Sequence, residues 1–251
     1  MRSWEEARKE HLAVVLEKYN IDNILGIFAY GSQNYNAQSA DSDWDTKVIY
    51  IPSFDELVLS SIVNETIELP NGEHCVIKDI REMIKNYLKQ NINFTETLFT
   101  EYKWINPSYR TEWEELKSYR SDIVYYSPYA TVKSISGQIL HTLHQDPSNE
   151  KKIANAYRLT LFLTKYLDGF PYNDCIKLSS AERNEFRLLK HCRHSEAYKQ
   201  AYVSTIKQTL EKLNDIPFKE NEYDKQRIKS SLKALQIKIF KRQVVKALLT
   251  S

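Results

Sequence analysis

The sequence predicts an α+β protein, with a small mixed-sheet domain over residues 1–120 and a helical domain over 121–251. Three observations carry this. Only 5 glycines and 7 prolines occur in 251 residues, which argues against a loop-rich all-β fold. Short apolar runs with β-branched residues cluster before residue 79, two of them separated by Pro-Asn-Gly. From about residue 108 onward, apolar residues recur at helical spacing almost throughout.

In chain order, WEEARKEHLAVVLEKYN (4–20) sets Leu12, Val15 and Leu16 on one face and predicts a helix. The apolar run ending at Gly31 predicts a buried strand at about 24–30, and SQNYNAQ a short helix or turn. DWDTKVIYI (43–51) reads as a second strand stopped by Pro52, and residues 53–60 as a short helix. TIELPNGEHCVIK (66–78) predicts a hairpin. Helices are expected at 80–90, 94–100, 108–119, 129–145, 150–168, 180–190, 195–214 and 221–249. Gly169 and Pro171 end one of these, and Ser179-Ser180 with Glu182 begin the next.

Composition narrows the function. With 42% hydrophobic and 27% charged residues the chain is globular rather than disordered. No apolar run approaches the roughly 18 residues of a membrane span, so no membrane partner is expected. The charged N-terminus does not resemble a secretory signal. Three dispersed cysteines do not form a disulfide framework, so a reducing, cytoplasmic setting is expected. Charge is polarised: net −7 over 1–120 and +9 over 121–251. The first half suits divalent cations, and the second a polyanion such as a triphosphate or nucleic acid.

Residues 30–50, YGSQNYNAQSADSDWDTKVIY, carry the chemistry. Residues i and i+2 of a strand share a face, so Asp43 and Asp45 are expected to point the same way. Two close carboxylates repel, and a divalent cation between them removes that cost. Mg²⁺ is held in this manner, by one or two carboxylates together with substrate phosphates. A strand ending in Gly31-Ser32, with a turn after it, offers N–H groups and a hydroxyl to a phosphate. Together these are the equipment for two-metal nucleotidyl transfer.

Gly-Ser, a spacer, then Asp-x-Asp on the next strand resembles the signature of the DNA polymerase beta-type nucleotidyltransferase superfamily. More narrowly, the chain resembles the bacterial and phage branch of predicted nucleotidyltransferases associated with RNA repair. The resemblance rests on Tyr30-Gly-Ser-Gln-Asn-Tyr35, Ser42-Asp43-Trp44-Asp45 and Lys47-Val-Ile-Tyr-Ile-Pro52. It continues in Asp79-Ile-Arg81, Asn91-Ile-Asn-Phe-Thr-Glu96-Thr-Leu-Phe99 and Lys152-Ile-Ala-Asn-Ala-Tyr-Arg158. It covers roughly residues 25–170.

The resemblance implies a nucleotidyltransferase fold in the first domain and a set of roles. Gly31 and Ser32 would bind the triphosphate, and Asp43 and Asp45 the Mg²⁺ ions, with Mn²⁺ as a substitute. Lys47, two residues beyond Asp45, takes the basic position on the same strand face, and Lys152 and Arg158 would reach the phosphates from the helical domain. The chain departs from the pattern at Asn36, Ile92 and Asn155, where the branch favours Gly, Pro and His. Asn tolerates positive φ, so the turn can survive. A third metal carboxylate is expected on the strand at 73–78. The best register places His74 there with Glu73 beside it. Glu73 is the candidate, although strand neighbours face opposite ways, and His74 is the alternative.

Other signals are less specific. His191-Cys192-Arg193-His194 resembles part of a zinc site but lacks a second pair. His141 and His144 share a helix face, where a solvated or capping role suffices. Residues 224–249 carry an apolar stripe of Ile228, Leu232, Leu235 and Ile239 among eight Lys/Arg and one acid. That pattern fits a packing helix or a phosphate-backbone track, with Tyr198, Tyr202 and Tyr223 as base-stacking candidates. A membrane-surface helix ranks behind both.

The expected function is Mg²⁺-dependent transfer of a nucleoside monophosphate from an NTP to a hydroxyl, with an RNA end, tRNA included, the favoured acceptor. The alternatives are a non-catalytic nucleotide- or RNA-binding module, and nucleotidylation of a protein or small-molecule hydroxyl. The base added, the use of a template and the oligomeric state are not legible in the residues.

Overall fold

In the computed structural model, residues 2–38, 42–146, 148–191, 195–218, 220 and 222–250 are described, apart from the side chains of Tyr223 and Thr250. The chain opens with α1 (Trp4–Leu16), whose Ser3–Glu6 capping box satisfies the first turn. Strand β1 (Ile24–Tyr30) follows and ends in a 3₁₀ turn over Gly31–Gln33. Then come β2 (Asp45–Tyr50), α2 (Phe54–Val58), β3 (Asn64–Glu68) and β4 (His74–Asp79). The turn of the β3–β4 hairpin places Gly72 at φ +82°, as its Pro-Asn-Gly sequence requires. Asp79 caps α3 (Ile80–Leu88), and Asn91 caps α4 (Ile92–Thr95), which tightens into a 3₁₀ turn over Glu96–Leu98.

The described residues form one five-stranded sheet, ordered β3-β4-β2-β1-β5, where β5 is Lys103–Ile105. Neighbours are antiparallel except β2 and β4, so the sheet is mixed and the fold is α+β. The remaining helices are α5 (Arg110–Ser118), α6 (Arg120–Val124), α7 (Pro128–Gln145), α8 (Glu150–Leu167), α9 (Tyr172–Ile176), α10 (Ser180–His191), α11 (Glu196–Asn214) and α12 (Glu222–Thr250). Among the described residues, no helix is long and apolar enough to cross a membrane.

Strand alternation sorts the sheet into two faces. Ile27, Val48, Cys75 and Ile77 point to one side, under Val15 of α1. Phe28 and Ile49 point to the other, against Met83 of α3, Trp113 of α5 and Leu232 and Leu235 of α12. A second core joins α7, α8, α10 and α11 through Ile135, Leu159, Phe162, Phe186 and Ile206.

Several elements differ from the sequence expectation, for local reasons. β2 begins at Asp45 rather than 43, leaving Asp43 in the preceding loop. The helix expected at 94–100 is a short α turn that narrows to 3₁₀. The three-residue β5, α6 and α9 are too short to show a period. α12 packs into the sheet's core rather than with the helices before it, so the two cores do not divide at residue 120. Most of its cations are occupied: Lys225 pairs with Glu220, Arg227 with Asp122, Lys238 with Glu115, Arg242 with Glu112 and Lys246 with Asp22. This favours the packing-helix reading over a phosphate track. Tyr198 packs at a tilt against Tyr202, and Tyr202 meets Tyr157 of α8 edge to face.

Candidate active site

The face of the sheet that carries Phe28 is covered by α3, α5 and α12 over only part of its length. At the end of β1 and the start of β2 the cover is missing. Register places Tyr30 opposite Asp45 and Lys47 opposite Val76, so these side chains share that open end. Helices α7, α8 and α10 form the far wall, and a cleft of about 910 Å³ lies between. Of the residues expected to bind nucleotide or metal, Gly31, Ser32, Asp43, Asp45, Lys47, Lys152 and Arg158 line it.

The turn after β1 is held from several sides. Gly31 takes φ +85°, a conformation that L side chains adopt only under strain. Asn36 takes φ +58°, the left-handed value that its side chain tolerates. Asn34 donates to Ala29 O at 3.0 Å and to Glu96 Oε2 at 3.2 Å, and accepts from Thr100 Oγ1 at 2.6 Å. The backbone between the two aspartates is held by Glu73, whose Oε1 accepts the Trp44 N–H at 2.8 Å.

Glu73 is therefore not where a metal ligand would be. Residues 74, 76 and 78 of β4 face the cleft side, and Glu73 turns the other way, beneath α1. Its Oε2 meets Arg2, His11 Nε2 at 3.0 Å and Asn71 Nδ2 at 3.1 Å, and His11 Nδ1 reaches Thr46 Oγ1 at 2.8 Å. Burial raises the Glu73 pKa, but bonds from His11, the Trp44 N–H and Arg2 outweigh it and hold the carboxyl below its ordinary value. Trp44 packs against Trp4 and Tyr102 on the same side. The alternative, His74, donates its backbone N–H to Asp45 Oδ1 at 2.9 Å, with its Nδ1 3.4 Å from the same oxygen. Val76 and Lys78 supply the next cleft-facing positions, so β4 brings no acid to the cleft.

The acid that the cleft contains besides Asp43 and Asp45 is Glu96, at the start of the 3₁₀ turn and 5% exposed. Burial raises its pKa, while Lys47, Arg158, Asn34 and the Gly31 N–H oppose the shift. Lys47 is 2% exposed, with Nζ 3.0 Å from the centroid of the Tyr30 ring. Burial pushes its pKa down to about 7, against the pull of Glu96 and Asp45 and with the help of Lys78. Arg158 is also buried. It lies 4.0 Å from the Tyr35 centroid and donates to Asn155 Oδ1 at 3.0 Å.

Sequence reasoning gave no role to Glu96, Tyr35, Lys151 or Lys190, all of which line the cleft. An acid inside the apolar stretch Phe94–Phe99 was the available signal for Glu96. The two lysines read as ordinary helix charges. His191 also lines the cleft, while Cys192, Arg193 and His194 of the zinc-like fragment, and Asp41, lie outside the described residues. His141 and His144 are exposed on α7 and do not line it.

The donor set fits Mg²⁺ in its usual form, two carboxylates completed by substrate phosphate and water. Among the described residues no group of three acids, histidines or cysteines could hold an ion on its own. Lys47, Lys78, Lys151, Lys152, Lys190 and Arg158 surround Asp43, Asp45 and Glu96, an excess of positive charge that suits a polyphosphate. Compared with known proteins, the chain matches no family model and no curated sequence.

Proposed function

We propose that this protein is a Mg²⁺-dependent nucleotidyltransferase, moving a nucleoside monophosphate from an NTP to a hydroxyl, with an RNA end the favoured acceptor. One observation carries the reading: a single cleft gathers Gly31, Ser32, Asp43, Asp45, Lys47, Lys152 and Arg158 from segments more than a hundred residues apart. In the reaction the acceptor oxygen attacks the α-phosphorus, the α–β bridging bond breaks, and pyrophosphate leaves. Asp43 and Asp45 would hold Mg²⁺, which when bound offsets charge on the phosphates.

The protein's own residues do the rest. Ser32 offers its hydroxyl beside the Gly31 turn. Lys47 and Arg158 are buried basic side chains held between aromatic rings and Glu96, so both are positioned before the triphosphate arrives. Lys151, Lys152 and Lys190 line the more open helical wall. Glu73 and His74 position the aspartates: one holds the Trp44 amide, the other an Asp45 oxygen.

The test is incorporation of labelled nucleotide over a panel of RNA, protein and small-molecule acceptors. Asp43→Ala and Asp45→Ala are expected to abolish incorporation with melting temperature unchanged, and activity retained in both sinks the mechanism. A second reading, a nucleotide-binding module without turnover, draws on the absence of an acid at the cleft-facing positions of β4. Calorimetric binding of Mg²⁺–NTP without pyrophosphate release over the whole panel would select it.

A further inference from the structure

A second cationic hollow opens one helical turn from the cleft. It encloses about 570 Å³, and its walls include Phe99, Lys103, Lys117, Arg120, Tyr125 and Tyr172. The three charges arrive from three elements: Lys103 opens β5, Lys117 lies in the last turn of α5, and Arg120 opens α6. Lys103 donates to Thr100 O at 2.7 Å. Burial, with Lys117 and Arg120 repelling it, holds its ammonium below the usual lysine range despite Glu101 and Glu114.

Those two acids are already engaged, Glu101 with Lys177 at 3.1 Å and Glu114 with Lys117 at 3.3 Å. Arg120 lies 5.5 Å from the Phe99 centroid, and no carboxylate among the described residues pairs with it. Tyr125 stacks on Tyr166 at 5.4 Å, yet remains 43% exposed. Cations gathered around partly exposed aromatic rings are the equipment of single-strand recognition, in which phosphates meet charge and bases meet ring faces.

Position joins this hollow to the cleft. Glu96 lines the cleft and Phe99 the hollow, separated by the 3₁₀ turn Glu96–Leu98. Three residues of 3₁₀ helix rise about 6 Å, close to two base rises of roughly 3.4 Å. A small cavity of about 50 Å³, far smaller than a nucleotide, touches both Glu96 and Phe99.

We propose that this hollow holds the phosphate backbone of a single-stranded polynucleotide, with a base on Tyr125. This contact stands apart from the nucleotidyl-transfer reading. The hollow is favoured over α12 because the cations of that helix are mostly paired to acids of its own fold.

The experiment is fluorescence anisotropy of a labelled, unstructured RNA of about a dozen nucleotides, without NTP, across a salt series. Wild type is expected to bind with a log–log salt slope of about −2, for three phosphates at roughly 0.7 each. Arg120→Ala combined with Lys117→Ala should weaken binding by about tenfold or more and flatten the slope by more than half. Tyr125→Leu should weaken binding with the slope unchanged, and Lys207→Ala, an exposed lysine on α11, should change neither. DNA of the same sequence should bind through the same residues.

Absence of wild-type binding overturns the proposal. So does affinity retained in the Arg120/Lys117 variant, with folding verified by melting. Loss of binding only in Lys151→Ala or Lys190→Ala also overturns it, because the strand then lies in the cleft. Calorimetry with Mg²⁺ and each of the four NTPs separates the two readings: if none binds while the hollow variants lose RNA, the hollow stands and nucleotidyl transfer falls.

Discussion

Lys47 and Glu73 are charged side chains buried on opposite faces of one sheet, and each makes a pH prediction. Lys47 titrates near 7 because burial penalises its charge. An arriving triphosphate favours the charged form, so binding above that value takes up a proton. Affinity for Mg²⁺–NTP should therefore fall from about pH 6.5 to about pH 8.5, and Lys47→Met should remove that component of the slope while lowering affinity throughout. Calorimetry in buffers of different ionisation enthalpy measures the proton uptake directly. For Glu73 the folded value lies below the unfolded one, so its contribution is present above the ordinary carboxylate range. It is lost as pH falls through the depressed folded value. Glu73→Ala should cost about 1–3 kcal/mol near neutral pH by leaving Arg2 and His11 without their buried partner. Urea unfolding at about pH 7 and about pH 4 should find that cost shrinking at the lower pH.

At the scale of elements, the turn after β1 and the last helix do different work. Gly31 sits at φ +85° with no near clash for an added Cβ, only a 3.5 Å approach to the Tyr35 hydroxyl. The cost of Gly31→Ala is therefore conformational, about 1–2 kcal/mol. Nucleotide affinity should drop by more than that predicts if the turn relaxes, and urea unfolding beside calorimetry separates the two losses. α12 carries the opposite kind of role. Leu232 is fully buried against the sheet's core, so Leu232→Ala should cost about 2–5 kcal/mol in unfolding while leaving nucleotide affinity unchanged in the folded fraction.

Across the whole molecule, the cleft is a seam between two cores. Its walls are joined elsewhere by buried polar contacts, including Thr95 Oγ1 with Tyr172 OH at 2.6 Å and Gln90 with Thr131 Oγ1 at 3.1 Å. A ligand filling the seam stabilises the folded state by mass action, about 2.7 kcal/mol at a hundredfold excess over Kd. Saturating Mg²⁺–NTP should therefore raise the melting temperature by on the order of 5 °C or more. Asp45→Ala should lose most of that shift, as differential scanning fluorimetry would detect.

The sequence by itself determined the α+β class, the long helices, the hairpin, the turn at Gly31 and Ser32 that ends one strand, and the shared face of Asp45 and Lys47 on the next. These follow from short-range rules: period, turn residues, and alternation along a strand. The same alternation warned that Glu73 and the expected position at 74 face opposite ways, and the tertiary structure assigned Glu73 to α1 and the Trp44 amide. Only that structure decided that Glu96, Lys151 and Lys190 face the same cleft, that α12 belongs to the sheet's core, and that Lys103, Lys117 and Arg120 converge. Each is a pairing across long sequence separation. A charged residue on a helix has the same local pattern whether it meets water, a carboxylate or a cleft, and only the packing of the two cores distinguishes them.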